Sequence, residues 1–173
     1  MLKNFTHLFV QNESSGQLLS KAGLAPKTTV AGDTRFDRVK ELSTNWQPID
    51  VVTRFLNGKK LMVAGSTWKE DENMLASWFH KTEEWQLIIA PHEIDADHIR
   101  QLKELFPNAV SYSELSASNQ AVVANVLIID NIGLLSRLYN FGTICYVGGG
   151  FNKSGHHNIL EAAVYNKAVI TGP

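Results

Sequence analysis

The chain has 173 residues, 44% of them hydrophobic, and a formal net charge of −1 at pH 7, so it can bury the core of a single domain. It contains no block of Lys and Arg residues, which excludes a nucleic-acid interface built on phosphate neutralisation. No apolar run approaches the roughly 18 residues that span a bilayer, and the N-terminus lacks the layout of a signal peptide, so we expect a soluble cytoplasmic protein.

Short, continuous apolar runs recur along the chain and predict strands that are buried on both faces, as in parallel sheets. The runs lie at residues 8–10, 61–64, 87–90, 126–129, 144–147 and 168–170, with a weaker candidate at 28–31. The single cysteine, Cys145, lies inside one of them, which indicates a small buried side chain rather than a reactive thiol. A lone cysteine cannot form an intramolecular disulfide, and this fits a reducing compartment.

Stretches with helical spacing separate these runs. One-sided apolar stripes lie at residues 74–79, 99–106 and 134–139, as amphipathic helices require. Thr67 and Glu70 match a capping box before the first stripe, and Asp95 is the predicted N-cap of the second. We also expect a short helix over 51–56 and a polar loop over 116–120.

The alternation of strands and helices predicts an α/β fold, a doubly wound parallel sheet. Right-handed crossovers place the strand-to-helix loops at one edge of such a sheet, and ligands bind beyond the carboxyl ends of the strands. Four loops with reactive or ligand-shaped residues follow predicted strands, so we expect all four at that edge.

The first of these loops, "AGDTRFDRV" at 31–39, contains two arginines. Arg35 or Arg38 could bind a phosphate or carboxylate in a bidentate manner. Alternatively, both arginines pair with Asp33 and Asp37 on a surface loop.

The second loop, "AGSTWKEDE" at 64–72, leads directly into a helix. Free amides near Gly65, Ser66 and Thr67, together with the helix dipole, favour an anion. Simple helix capping by the two hydroxyl residues is the alternative.

The third loop, "APHEID" at 90–95, has a proline as its second residue, which fixes the turn after the strand. After Pro91, the side chains of His92 and Glu93 are expected at the sheet edge, where a histidine can act as a base or hydrogen bond to a phosphate or a nucleobase. A solvated loop histidine is the alternative.

The fourth loop follows the run 144–147. Its glycines, Gly148, Gly149 and Gly150, let a ligand approach the backbone closely. We expect the next helix to open near Ser154, so that amides near residues 156–158 point outward.

Two side chains of that expected helix, His157 and Glu161, are four residues apart and share a face. A glutamate in this position suits the two hydroxyls of a ribose. A metal site made of His156, His157 and Glu161 is the alternative, but their spacing matches no standard zinc pattern, so we predict no metal.

Five segments of the sequence together resemble a known family. "FVQNESSGQLLSKAG", "VAGDTRFDRV", "AGSTWKEDE", "APHEI" and "VGGGF…GHHNILEAA…AVITGP" are similar, in the same order, to the C-terminal half of 3-deoxy-D-manno-octulosonic acid (Kdo) transferases. The glycine-to-glutamate segment is the most specific, and related segments occur across the GT-B glycosyltransferases.

The resemblance implies a Rossmann-like domain, residues 1–173, that binds the nucleotide sugar CMP-Kdo for transfer of Kdo to a lipid A precursor in lipopolysaccharide synthesis. It also implies that an N-terminal domain, absent here, holds the acceptor, the catalytic carboxylate and the membrane-proximal segment. The whole enzyme would then work at the cytoplasmic face of the inner membrane without a cofactor. The 173 residues alone would bind the cytidine nucleotide weakly and transfer no sugar.

Carried over by motif, the resemblance assigns no catalytic residue to this chain and a set of donor-binding residues. Glu161 would hold the ribose, and His157 and Asn158 would meet the phosphate or the sugar. Arg35 and His156 are further candidates. The other residues would border the donor: Gly65, Ser66, Thr67, Pro91, His92, Glu93, Gly148, Gly149 and Gly150.

Two alternative functions are retained. The chain could be the donor domain of another GT-B enzyme, such as a UDP-sugar transferase or an epimerase. It could also be a non-catalytic Rossmann module that mediates assembly and responds to no nucleotide.

Overall fold

The structure, a computed structural model, describes residues 1–118, 123–151 and 158–173. These residues divide into two compact units, Met1–Glu41 and Leu42–Pro173. The polar loop predicted at 116–120 lies partly outside the described residues, and its first two residues belong instead to a helix, Tyr112–Ala117.

The first unit contains a two-stranded parallel sheet. Its elements are strand β1 (Leu8–Val10), helix α1 (Glu13–Lys21), a 3-10 turn (Ala25–Lys27), strand β2 (Thr28–Val30) and most of helix α2 (Thr34–Thr44). A further 3-10 turn, Leu2–Asn4, precedes them. The Asn12 side chain caps α1 by accepting from the Ser15 amide at 2.9 Å. Both predicted strands of this region are confirmed, but they form a sheet of their own.

The second unit contains a six-stranded sheet in which every pair is parallel. Its strands are β3 (Lys60–Thr67), β4 (Trp85–Pro91), β5 (Ala109–Ser111), β6 (Val126–Ile128), β7 (Ile144–Val147) and β8 (Ala168–Thr171). Its helices are α3 (Asp50–Phe55), α4 (Lys69–Phe79), α5 (Ala96–Leu105), α6 (Tyr112–Ala117), α7 (Leu135–Leu138) and α8 (Leu160–Ala163), and a 3-10 turn (Tyr139–Phe141) follows α7. The α/β fold with a parallel sheet is therefore as predicted.

Both faces of the central strands of the six-stranded sheet are buried. Along β3, Leu61 and Val63 belong to one apolar cluster with side chains of α3, α6 and α7. The alternate residues Met62 and Ala64 belong to another cluster, with side chains of α4 and α5. This two-sided burial explains why the strands read as continuous apolar runs.

The strand order is β5-β6-β4-β3-β7-β8, and the side of the sheet to which successive strands are added changes at β3. The chain adds β4, β5 and β6 on one side of β3, and then β7 and β8 on the other. In such sheets the ligand crevice opens outside the carboxyl ends of the strands at this switch point, between β3 and β7.

Among the described residues, no helix combines the length and apolar character needed to cross a bilayer. The cysteine prediction also agrees with the structure, since Cys145 is fully buried and its burial raises the pKa of the thiol to about 11. A thiol with this pKa is almost entirely protonated at neutral pH and is therefore a poor nucleophile.

Candidate functional site

Three of the four predicted loops meet at the switch point. They follow β3, β4 and β7, which are neighbours in the sheet. Main-chain hydrogen bonds join them directly, since the His92 amide donates to the Thr67 carbonyl and the Gly148 amide to the Gly65 carbonyl, both at 2.9 Å. Residues 65–67, 91–93 and 148–150 therefore form one continuous rim, which we call the switch-point rim.

The first predicted loop belongs to the first unit. It follows β2 of the two-stranded sheet, so the expectation that all four loops share one edge was wrong. Arg35 donates to Asp33, with Nη2 2.6 Å from Oδ2, and this pairing lowers the pKa of Asp33 to about 2. The alternative in which Arg35 pairs within its own loop is the one observed.

The end of β3 is irregular because a bulge separates Gly65 from Thr67. Ser66, between them, has a left-handed backbone with φ of 53°, a conformation that costs a non-glycine residue of order 1 kcal/mol or more. Bulges of this kind redirect the chain beside ligand sites. Here the bulge brings the Ser66 carbonyl against the glycine turn that follows β7.

The capping box predicted for Thr67 and Glu70 is wrong. The helix α4 begins one residue later, with Trp68 as N-cap, and the Trp68 amide donates to the Asp71 carboxylate at 2.9 Å. The Thr67 hydroxyl is buried and donates to Glu72 at 3.0 Å. That side chain is therefore engaged inside the protein and not at the rim surface.

An anion at the start of α4 is also disfavoured. Glu70, Asp71 and Glu72 all lie in the first turn, and carboxylates there already complement the positive end of the helix dipole. The charge pattern thus argues against an anion at this helix start, and capping by the Thr67 hydroxyl is not observed either, since that hydroxyl donates to Glu72.

At the end of β4, Pro91 is buried whereas His92 and Glu93 are exposed, as the sequence predicts for a loop at the sheet edge. The His92 ring stacks on Trp68, with ring centroids 4.4 Å apart and planes inclined by 24°. Trp68 was not among the predicted site residues, because a tryptophan in this position of the sequence is interpreted as a side chain of the hydrophobic core. The stacked pair presents an aromatic surface at the rim.

The glycine turn is held by internal contacts. The Gly149 amide donates to Asp71 Oδ2 at 3.1 Å, and the Gly148 amide donates to Gly65 as above, so neither amide is directed at a ligand. A Cβ atom at residue 148 would lie 2.8 Å from both Thr67 Cα and Asp71 Oδ2, and closer still to the Ser66 carbonyl oxygen. The glycine is therefore required by the neighbouring loop, whereas the sequence suggested close approach of a ligand.

The segment after the glycine turn is described from Asn158 onward, so His156 and His157 lie outside the described residues. The helix α8 begins at Leu160, later than expected. Asn158 Oδ1 accepts from the Leu160 amide at 3.1 Å, and Glu161 lies half-buried in the first turn.

The helix α8, which carries Glu161, contacts the 3-10 turn that begins at Tyr139. Tyr139 is buried, and burial, with smaller contributions from Cys145 and Glu161, raises the pKa of its hydroxyl. Because a Cβ at Gly65 would overlap that hydroxyl, the turn that α8 contacts lies next to β3 at the rim.

One group of candidate metal ligands occurs near the rim among the described residues. Glu93, Asp95 and His98 each place a ligand atom within 4.8 Å of the others. Asp95 caps α5, as predicted, by accepting from the Asp97 and His98 amides, and His98 Nε2 lies 2.8 Å from Glu72 Oε2. Contacts within the protein therefore account for the positions of Asp95 and His98, two of the three side chains.

The chain was compared with known proteins. No family model matches it. A bifunctional glycosyltransferase/methyltransferase from Fusobacterium nucleatum is 29% identical over 99% of this chain. A 3-deoxy-D-manno-octulosonic acid transferase from Rickettsia felis is 28% identical over 100% of it, and the one from Haemophilus influenzae is 28% identical over 99%. The chain spans 28%, 38% and 42% of these three relatives, respectively.

A solved structure shares the fold. The C-terminal CMP-Kdo binding domain of WaaA from Acinetobacter baumannii matches with a TM-score of 0.56 and 24% identity, covering 80% of this chain and 70% of that one. The similarity to Kdo transferases therefore extends along the whole chain, and the α/β fold with a parallel sheet is shared with this solved domain.

Proposed function

We propose that this chain is the donor-binding part of a Kdo transferase and binds CMP-Kdo at the switch-point rim. The observation that carries the proposal is the convergence of the β3, β4 and β7 loops at the carboxyl edge of the sheet, where doubly wound folds bind nucleotides. Relatives named for Kdo transfer supply the donor's identity. The chain spans 38% of the R. felis relative, and we assign acceptor binding to a part of such a transferase that this match does not cover.

In this proposal the nucleotide lies across the rim. Glu161 accepts from the ribose hydroxyls, while Asn158 and the preceding His157 contact the phosphate or the sugar. Ser66, His92 and Glu93 border the nucleotide with exposed or half-buried groups. The buried residues Gly65, Thr67, Pro91, Gly148 and Gly149 shape the rim, and the half-buried Gly150 borders the donor with its backbone.

The proposed reaction is transfer of Kdo to a hydroxyl of a lipid A precursor. That hydroxyl attacks the anomeric carbon of Kdo, the bond to the phosphate breaks, and CMP leaves with negative charge on its phosphate. The side chains proposed to contact the phosphate, those of His157 and Asn158, stabilise this charge as it develops. The general base belongs to the acceptor side, at the cytoplasmic face of the inner membrane, so no residue of this chain is assigned that role.

Titration calorimetry of the 173-residue chain with CMP tests the function. We expect weak, saturable binding of CMP, a smaller response to UDP, and no transfer of Kdo to a lipid A precursor. A preference for UDP would favour a UDP-sugar enzyme. The absence of any response to either nucleotide would contradict the proposal and favour a non-catalytic module.

Replacing Glu161 by alanine is expected to weaken CMP binding by roughly 1–3 kcal/mol, because a charged acceptor for the ribose is lost. Calorimetry measures the change, and the exposed Glu83 provides a matched control through Glu83→Ala. Equal CMP affinities in the two variants would remove Glu161 from the site.

A further inference from the structure

Asp71 is a fully buried carboxylate that contacts two loops of the rim. Its Oδ2 atom accepts from the Trp68 amide at 2.9 Å and from the Gly149 amide at 3.1 Å. Its Oδ1 atom accepts from the Tyr146 hydroxyl at 2.5 Å. One side chain thereby joins the start of α4, the glycine turn and the strand β7.

These contacts are what a buried carboxylate requires. Removing a carboxylate from water is costly unless donors replace the lost hydration, and three donors surround Asp71. Its place in the first turn of α4 adds the favourable field of the helix dipole. The side chain also fills the space that a larger residue at Gly148 would occupy, so the turn, the bulge and the carboxylate fit together.

The neighbouring carboxylate does not reach the glycine turn. Glu72 is also buried, but its oxygens meet Thr67 at 3.0 Å and His98 at 2.8 Å. The contacts of Glu72 join the end of β3 to α5. The contacts of Asp71 instead join the loop between β3 and α4 to β7 and the glycine turn.

We propose that Asp71 is a positioning residue of the nucleotide site, which fixes the glycine turn relative to the β3–α4 loop and so sets the affinity for CMP. This role rests on the proposed function, since the rim is the site in question. Asp71 does not touch the nucleotide, because the side chain is excluded from the surface. It acts through the Gly149 and Trp68 amides, which without an acceptor would turn toward water and displace the turn.

The test compares four variants of the 173-residue chain by CMP calorimetry, thermal unfolding and hydrogen exchange of the Gly149 amide. Asp71→Leu removes the acceptor and places a larger, apolar side chain there, and we expect CMP affinity to fall at least about fivefold and Gly149 to lose exchange protection. Asp71→Asn should restore both, because its carbonyl oxygen can accept from the two amides while its NH2 donates to Tyr146.

Tyr146→Phe is the matched control. It removes the hydroxyl from Oδ1 but leaves both amide contacts on Oδ2, so it should lower the unfolding temperature while CMP affinity stays within twofold, roughly the precision of a titration. Asp71→Ser controls for the size of leucine, because it adds no volume and is too short to reach both amides, so the same outcomes are expected. It replaces Asp71→Leu should that variant not fold.

Two results would overturn the positioning role. One is wild-type CMP affinity in Asp71→Leu with a protected Gly149 amide, and the other is an equal loss of affinity in Tyr146→Phe and Asp71→Leu. If the wild-type chain does not bind CMP, the proposed function is contradicted instead. Hydrogen exchange of the Gly149 amide then tests the positioning role. Unchanged protection of this amide in Asp71→Leu overturns the role, and lost protection supports it.

Discussion

Gly148→Ala is expected to lower the free energy of unfolding of the second unit by roughly 3 kcal/mol or more, and to abolish the response to CMP. Overpacking a close contact typically costs about 1–3 kcal/mol, and more when the neighbours cannot move. The added Cβ would overlap the Ser66 carbonyl oxygen and approach Thr67 Cα to 2.8 Å. Both are backbone atoms of a bulge in a central strand, so no rotation of a side chain relieves the overlap.

Tryptophan fluorescence during thermal unfolding measures the effect, because all four tryptophans, Trp46, Trp68, Trp78 and Trp85, lie in the second unit. A loss of 3 kcal/mol should lower the midpoint by roughly 6–12 °C in a unit of this size. Gly58→Ala is the control. Its Cβ would meet nothing within 4 Å, and only its left-handed backbone, with φ of 87°, opposes the change. Equal midpoints for the two variants would contradict the steric explanation.

The central strands could be predicted from the sequence because burial on both faces leaves an unbroken apolar run. Residues 61–64 and 144–147 are examples, and both lie in strands of the six-stranded sheet. Strand β5 was missed because Ala109–Ser111 is three residues long, lies at the sheet edge and ends in a serine. A strand with so few apolar atoms carries little periodic signal.

The rim was predicted only in part. The rule that parallel strands direct their following loops to one edge correctly united residues 65–67, 91–93 and 148–150. The same rule failed for Arg35, because β1 and β2 form a separate sheet, and sequence periodicity does not report which strands pair.

The role of Asp71 was also beyond the sequence. The run Glu70-Asp71-Glu72 reads as a solvated, acidic start of a helix, and two of its three side chains are in fact buried. Their burial depends on donors that are distant in sequence, such as the Gly149 amide 78 residues away. For the same reason, the glycines at 148 and 149 were interpreted through a ligand, whereas their observed contacts are with the protein.

Gly65→Ala tests whether the opposite side of β3 is equally constrained. We expect this substitution to lower the free energy of unfolding of the second unit by about 3 kcal/mol. The added Cβ would lie 2.8 Å from Tyr139 Cζ and would overlap the Tyr139 hydroxyl and Leu135 Cδ1. Tyr139 is 1% exposed, so it cannot swing into solvent, and either the ring or β3 has to shift.

A double-mutant cycle with Tyr139→Phe separates these causes. Removing the hydroxyl relieves one of the overlaps and leaves the close approaches to the ring carbon and to Leu135. The Gly65→Ala cost should therefore fall by about 1 kcal/mol in the Tyr139→Phe background, within the range of couplings between contacting residues. Fluorescence-detected denaturation measures all four proteins. Strictly additive losses would mean that the strand moves away from the ring, and CMP affinity should then fall with stability, because the shift of β3 carries Ser66 and the glycine turn with it.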